Sequence, residues 1–183
     1  MSISTRARFH AWYDSLVNLR PDLRVDRVER LTARRLQSLG LEGLLLDLDE
    51  TLLPAAADLP TSDVIVWAHE LRAAGVRLAI VSNGRPSRVA RVARALEVPA
   101  RALTGKPWPG AFRRGLAQLR LPPDRCAMVG DQLFTDVVGA RAAGLRTVLV
   151  PPLSRAGLPH TRALRRLEAR ILRGGEHGRP VHR

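Results

Sequence analysis

Short apolar runs alternate with helical patterns through the middle of the chain. Residues 43–48 (GLLLDL), 76–81 (VRLAIV), 126–129 (CAMV) and 146–150 (RTVLV) are near-continuous apolar runs, and 100–103 is a weaker extended piece. Runs of this length between turn signals predict strands buried on both faces. Helical patterns at 63–74, 86–96, 109–119 and 133–143 fill the gaps. Ser62 or Asp63 is the expected N-cap of the first, and Pro86 and Pro109 suit first-turn positions. Gly75 and Gly144 sit where C-terminal glycines belong. Such alternation implies right-handed crossovers and a mainly parallel sheet of five strands with helices on both faces. The expected class is a three-layer α/β/α, Rossmann-like fold.

Two extensions flank this unit, giving expected boundaries of 1–40, 41–152 and 153–183. Residues 5–20 and 27–39 read as helices separated by Arg20-Pro21-Asp22. Residues 158–173 read as a basic helix, followed by a tail, GGEHGRPVHR, without periodicity. Charge sharpens this division. The net charge is +13, and 29 of the 30 basic residues are arginine, Lys106 being the single lysine. Residues 1–40 carry +4, residues 41–150 carry +3 and residues 151–183 carry +6. The basic ends suit a polyanion, either nucleic acid or an anionic membrane surface, or they solvate the surface with no single partner. Phe9, Trp12, Tyr13 and Leu16 share one helical face, either packed on the α/β unit or anchored in an interface beside Arg6, Arg8 and Arg20. Arg162, Arg165, Arg166, Arg170 and Arg173 offer a second cationic face.

One cysteine, Cys126, excludes an intramolecular disulfide and a cysteine-based metal centre. It is expected in the core. No apolar run approaches the roughly 18 residues of a membrane span, and the first residues lack the apolar stretch of a secretory signal. A cytoplasmic location is expected, with peripheral contact at the inner membrane face as an option.

Candidate chemistry follows from what each strand ends with, because sites in parallel sheets lie beyond the strands' carboxyl ends. The first run leads into Asp47-Leu48-Asp49-Glu50-Thr51, the second into Ser82-Asn83, and the fourth into Asp131 with Asp136 five residues on. Lys106 follows the third strand. Carboxylates converging on one point repel unless a cation joins them, and Mg²⁺ is a hard ion that prefers oxygen ligands. An aspartate can then attack phosphorus, a second carboxylate can shuttle the proton, and a hydroxyl, backbone N–H groups and a lysine can hold the equatorial oxygens. This set suits hydrolysis of a phosphomonoester. A P-loop is excluded, since Ala100 and Pro107 stand where Gly and Ser/Thr would be needed.

The four motifs, in this order, resemble those of the haloacid dehalogenase (HAD) superfamily of phosphatases. The resemblance covers roughly residues 40–151. It implies Asp47 as nucleophile and Asp49 as general acid/base. Ser82, Asn83 and Lys106 are implied to hold the phosphate. The implied Mg²⁺ ligands are the Asp47 carboxylate, the Asp49 backbone carbonyl and Asp131, with Asp136 in support through water. Little chain separates Asp47 from Ser82 or Leu103 from Lys106, so no cap domain is expected. Residues 49–54 and 130–137 are similar to subclass IIIA, in particular its phosphatidylglycerophosphate-phosphatase-like branch. That resemblance implies an anionic phospholipid substrate. The alternatives are a phosphatase of soluble sugar or nucleotide phosphates, or a basic RNA- or ribosome-associated protein on an inactive HAD scaffold. The intact motifs argue against the last, and most of the aromatics look buried, whereas RNA recognition favours exposed ones. Glu50 is expected to face solvent or a neighbouring loop. The oligomeric state is left open.

Overall fold

A computed structural model describes residues 20–154. The expectations for 5–19, the aromatic face at Phe9–Leu16 and the basic helix at 158–173 lie outside the described residues. Six strands form one parallel sheet in the order β1-β6-β5-β2-β3-β4. They are β1 (Leu23–Arg24), β2 (Gly43–Leu46), β3 (Arg77–Val81), β4 (Ala100–Arg101), β5 (Cys126–Gly130) and β6 (Arg146–Leu149). The helices are α1 (Ala33–Ser38), α2 (Ser62–Ala73), α3 (Pro86–Leu96), α4 (Pro109–Leu119) and α5 (Gly139–Ala142).

The sheet has six strands where five were expected. The extra one, β1, is two residues long, too short for an alternating pattern to register. Tertiary contacts hold it: Asp22 accepts from the Thr147 backbone N–H at 2.8 Å and from the Thr147 hydroxyl at 2.7 Å. The single helix expected at 27–39 is also broken. A 3₁₀ turn at Val28–Arg30 stops, and α1 restarts under a Thr32 cap whose hydroxyl accepts from the Arg35 N–H. Between them the Leu31 carbonyl accepts from the buried Trp67 indole at 3.0 Å, which withdraws it from helical pairing. The N-cap of α2 is Thr61 rather than Ser62 or Asp63. Pro86 and Pro109 do open their helices, and Gly75 and Gly144 take the left-handed φ of +86° and +84° expected of helix-ending glycines.

The strand pattern explains the layers. Along β2, Leu44 and Leu46 pack with Trp67, Leu71, Val92 and Leu96 on one face, and Leu45 packs with Phe112 and Leu116 on the other. Each face is closed by helices, as period-two alternation within a continuous apolar run requires. Cys126 is buried in the second layer, and burial, helped by Asp124 and Glu42, pushes its thiol up to about 11. Among the described residues no domain is inserted between Asp47 and Ser82 or between β4 and Lys106. None of the described helices is long and apolar enough to cross a membrane.

Candidate active site

Strand register builds the site. Leu46 pairs with Ile80 on one side and Val129 on the other. The next residues along each strand, Asp47, Val81-Ser82 and Gly130-Asp131, therefore emerge side by side at the carboxyl end. The Asp47 N–H still donates to the Val129 carbonyl at 2.9 Å, so its side chain leaves from ordered backbone.

Asp47, Asp131 and Asp136 form a buried group whose carboxylate oxygens lie within 4.8 Å of one another. Lys106 reaches into it. Its Nζ donates to Asp47 Oδ1 at 2.6 Å and Asp136 Oδ1 at 2.7 Å, with the lysine side chain only 3% exposed. Burial alone would push this ammonium down; the charges and hydrogen bonds of Asp136 and Asp47 overcome that and raise it. Burial, with Asp47 beside it, pushes the Asp136 carboxyl up to about 6 despite the lysine and a Gln132 N–H. One ammonium, touching two of the three, stands against a buried group of carboxylate oxygens. That donor set fits a hard divalent cation.

Asp136 reaches the group by an unexpected route. The helix expected over 133–143 opens as a π-helix, Leu133–Val138, before α5 begins. Wide winding of this kind is common at functional sites. Asp136 folds back over Gly130, where an added Cβ would lie 2.3 Å from Asp136 Oδ2. The residue before Asp131 must therefore lack a side chain.

Asp49 stands apart from the three-carboxylate group. Its Oδ1 accepts from Arg88 Nε at 2.9 Å, and its side chain is 38% exposed, open to the site's mouth. Gly84 lies between Asp49 and Ser82: an added Cβ there would be 3.1 Å from Ser82 Oγ and 3.3 Å from Asp49 Oδ2. Ser82 Oγ accepts from the Gly84 N–H at 2.9 Å, leaving its own proton to donate. Asn83 spends its side chain on a brace. It donates to the Lys106 carbonyl at 3.0 Å and accepts from the Lys106 N–H at 2.9 Å and the Thr104 hydroxyl at 3.1 Å. That brace sets where the lysine begins.

Two residues do more than their places in the sequence signalled. Arg88 is one arginine among 29. Besides Asp49 it donates to the Ala57 and Pro54 carbonyls, tying the loop after β2 to α3. Of the two surroundings expected for Glu50, it takes a neighbouring loop rather than solvent, and it is buried with a left-handed φ of +63°. It accepts from Ala55 N–H at 3.0 Å, Ser154 N–H at 2.7 Å and the Ser154 hydroxyl at 2.8 Å, clasping the chain after β6. Glu50→Gln turns one accepting oxygen into a donor facing other donors. It is expected to lower unfolding free energy by about 1.5–3 kcal/mol, read from urea unfolding; an unchanged midpoint would mean the clasp adds nothing.

Comparison with known proteins matches the haloacid dehalogenase-like hydrolase family over residues 7–144. The chain is 34% identical over 152 residues to a probable phosphatase, YqeG, of Bacillus subtilis, covering 83% of this chain and 88% of that protein. It is 29% identical over 148 residues to the chloroplastic phosphatidylglycerophosphate phosphatase 1 of Chlamydomonas reinhardtii, covering 76% of this chain and 55% of that one. The fold is similar to that of CbbY from Rhodobacter sphaeroides, solved with phosphate, at a TM-score of 0.52 and 18% identity, over 64% of this chain and 90% of that chain.

Proposed function

The chain belongs to the haloacid dehalogenase-like hydrolases and is a phosphatase, and from that premise we propose a Mg²⁺-dependent hydrolase of a lipid phosphomonoester, phosphatidylglycerophosphate, working at the inner face of a membrane. The observation that carries the mechanism is the convergence of Asp47, Asp131, Asp136 and Lys106 on one buried point beside Ser82. The lipid is supported by the named activity of the Chlamydomonas relative, by a site without a cap and by the basic ends.

Asp47 attacks phosphorus; its oxygen–phosphorus bond forms as the ester oxygen–phosphorus bond breaks, giving an aspartyl-phosphate. Asp49 gives its proton to the leaving oxygen, then takes one from the water that releases inorganic phosphate. Arg88 fixes the Asp49 carboxylate toward the mouth of the site. The Ser82 hydroxyl and the Lys106 ammonium hold phosphate oxygens, and Asn83 keeps the lysine in place. Mg²⁺ held by Asp47, Asp131 and the Asp49 carbonyl, with Asp136 behind them, would offset the charge between the nucleophile and an anionic phosphate.

Phosphate release from phosphatidylglycerophosphate, sugar phosphates and nucleotides, each with Mg²⁺ or a chelator, tests both parts. The expected result is lipid-phosphate turnover that a chelator abolishes. Turnover confined to soluble esters would replace the lipid assignment, and full activity in chelator would remove the metal.

A further inference from the structure

Five large apolar side chains are strongly exposed among the described residues: Leu59, Val66, Leu103, Trp108 and Leu153. Four of them lie on loops at the carboxyl end of the sheet. Leu59 follows β2, Leu103 and Trp108 follow β4, and Leu153 follows β6. In an all-parallel sheet these loops share the end that carries Asp47, Asp131 and Lys106. Single exposed apolar residues need no explanation; what calls for one is that four of these five fall at the end of the molecule that holds the site.

Leu103 is the most telling. It is 68% exposed and takes a left-handed φ of +48°, which side chains with a Cβ rarely adopt. Its neighbours hold it there: Leu103 N–H donates to the Gly84 carbonyl, and the Thr104 N–H donates to the Ser82 carbonyl at 3.2 Å. Trp108 is 65% exposed at the N-cap of α4, two residues past Lys106.

We infer that Leu59, Leu103, Trp108 and Leu153 form a rim that docks the open site onto the surface of an anionic phospholipid bilayer. This rests on the lipid-phosphate reading above. The occupant follows from spread and charge. From β6 to β4 the rim crosses four strand spacings, on the order of 20 Å. A protein partner must match the shape of such separate tips, whereas a fluid acyl layer yields to them. Arg85, Arg101 and Arg113 are exposed at the same end and make no ion pair among the described residues. Asp58 there is answered by Arg91 at 2.7 Å, and at this end from β6 to β4 Asp63 is the exposed carboxylate beside these three arginines, with Asp47, Asp131 and Asp136 of the site lying buried beneath. The chain also leaves this rim at Ser154, pinned by Glu50, and its remaining 29 residues carry eight arginines and two glutamates. Apolar tips set among cations suit an anionic interface, where insertion and charge attraction add.

Trp108 supplies the readout. Trp67 is buried, so in a full-length Trp12→Phe background a lipid-dependent fluorescence change reports Trp108. Phosphatidylglycerol vesicles are expected to shift its emission to the blue, and brominated lipid to quench it. Pure phosphatidylcholine should do so more weakly. Leu103→Ser/Trp108→Ser/Leu153→Ser should lose vesicle affinity by at least about tenfold and lose lipid-phosphate turnover to match, while keeping p-nitrophenyl phosphate hydrolysis. Co-sedimentation with vesicles while Trp108 emission stays fixed would overturn the rim and assign binding to the terminal segments. A concentration-dependent blue shift without lipid would overturn it in favour of a second copy of this chain. Vesicle docking through Trp108 without lipid-phosphate turnover would uphold the rim and remove the substrate assignment, so the two readings fail separately.

Discussion

Asp47→Asn is expected to cut phosphate release by at least about 10²-fold, roughly 2.7 kcal/mol of barrier, with the fold unchanged. The carboxamide has nearly the shape of the carboxylate, and its oxygen can still accept the 2.6 Å bond from Lys106. The backbone bond to Val129 is untouched. What disappears is the anionic oxygen that attacks phosphorus, for which an amide is no substitute. Two measurements check it. Steady-state release gives the rate, and the intact mass of acid-quenched enzyme shows whether a phosphoryl group has been captured. The parent should carry the adduct during turnover and the variant should not. Residual turnover above about 1% of the parent would assign the attack to another group, Asp131 being the next candidate by position.

Lys106→Met is expected to have the largest effect on stability, a loss of about 3–5 kcal/mol in chelator. Methionine approximates the lysine stem, so packing is largely kept. The ammonium goes, and with it the partner lying 2.6 and 2.7 Å from Asp47 and Asp136. Buried carboxylates left without a counter-charge are costly, which is why breaking such a pair from one side costs far more than the pair contributes. Excess Mg²⁺ should recover part of the loss, because an ion that binds the native state alone stabilises it by mass action. The gain should be larger in the variant than in the parent, since the cation meets more uncompensated negative charge. Turnover should fall by about 10²–10³-fold even then, as for other removed charge-stabilising donors. Denaturant unfolding with and without Mg²⁺ reads both effects. A variant as stable as the parent in chelator would mean the three carboxylates do not carry their full charge there.

The layer order of the fold was legible from the pattern of the chain. Leu44, Leu45 and Leu46 could only be a strand covered on both sides, and Pro86, Pro109, Gly75 and Gly144 marked helix ends through constraints local to each residue. The chemistry at the strand ends was legible for the same reason: in a parallel sheet the residue after a buried run has one place to go. Asp47, Ser82, Lys106 and Asp131 therefore came together as their positions implied.

Contacts distant in sequence were not legible. Strand β1 exists because Thr147, 125 residues away, satisfies Asp22. The helix expected at 27–39 breaks because Trp67, 36 residues on, claims the Leu31 carbonyl. Glu50 turns inward to meet Ser154, and Arg88 differs from its neighbours only in what lies opposite it. Local patterns record what a residue does to its own backbone and to the next turn or pleat. Which polar groups find one another across the fold depends on how whole elements pack, and a buried donor or acceptor must be paired wherever that packing leaves it. The alternation of apolar runs thus decided the architecture and the end of the sheet where chemistry sits. Only the assembled tertiary structure decided the bonds that hold Asp49, Glu50 and Lys106 in place, and which apolar side chains stay uncovered around them.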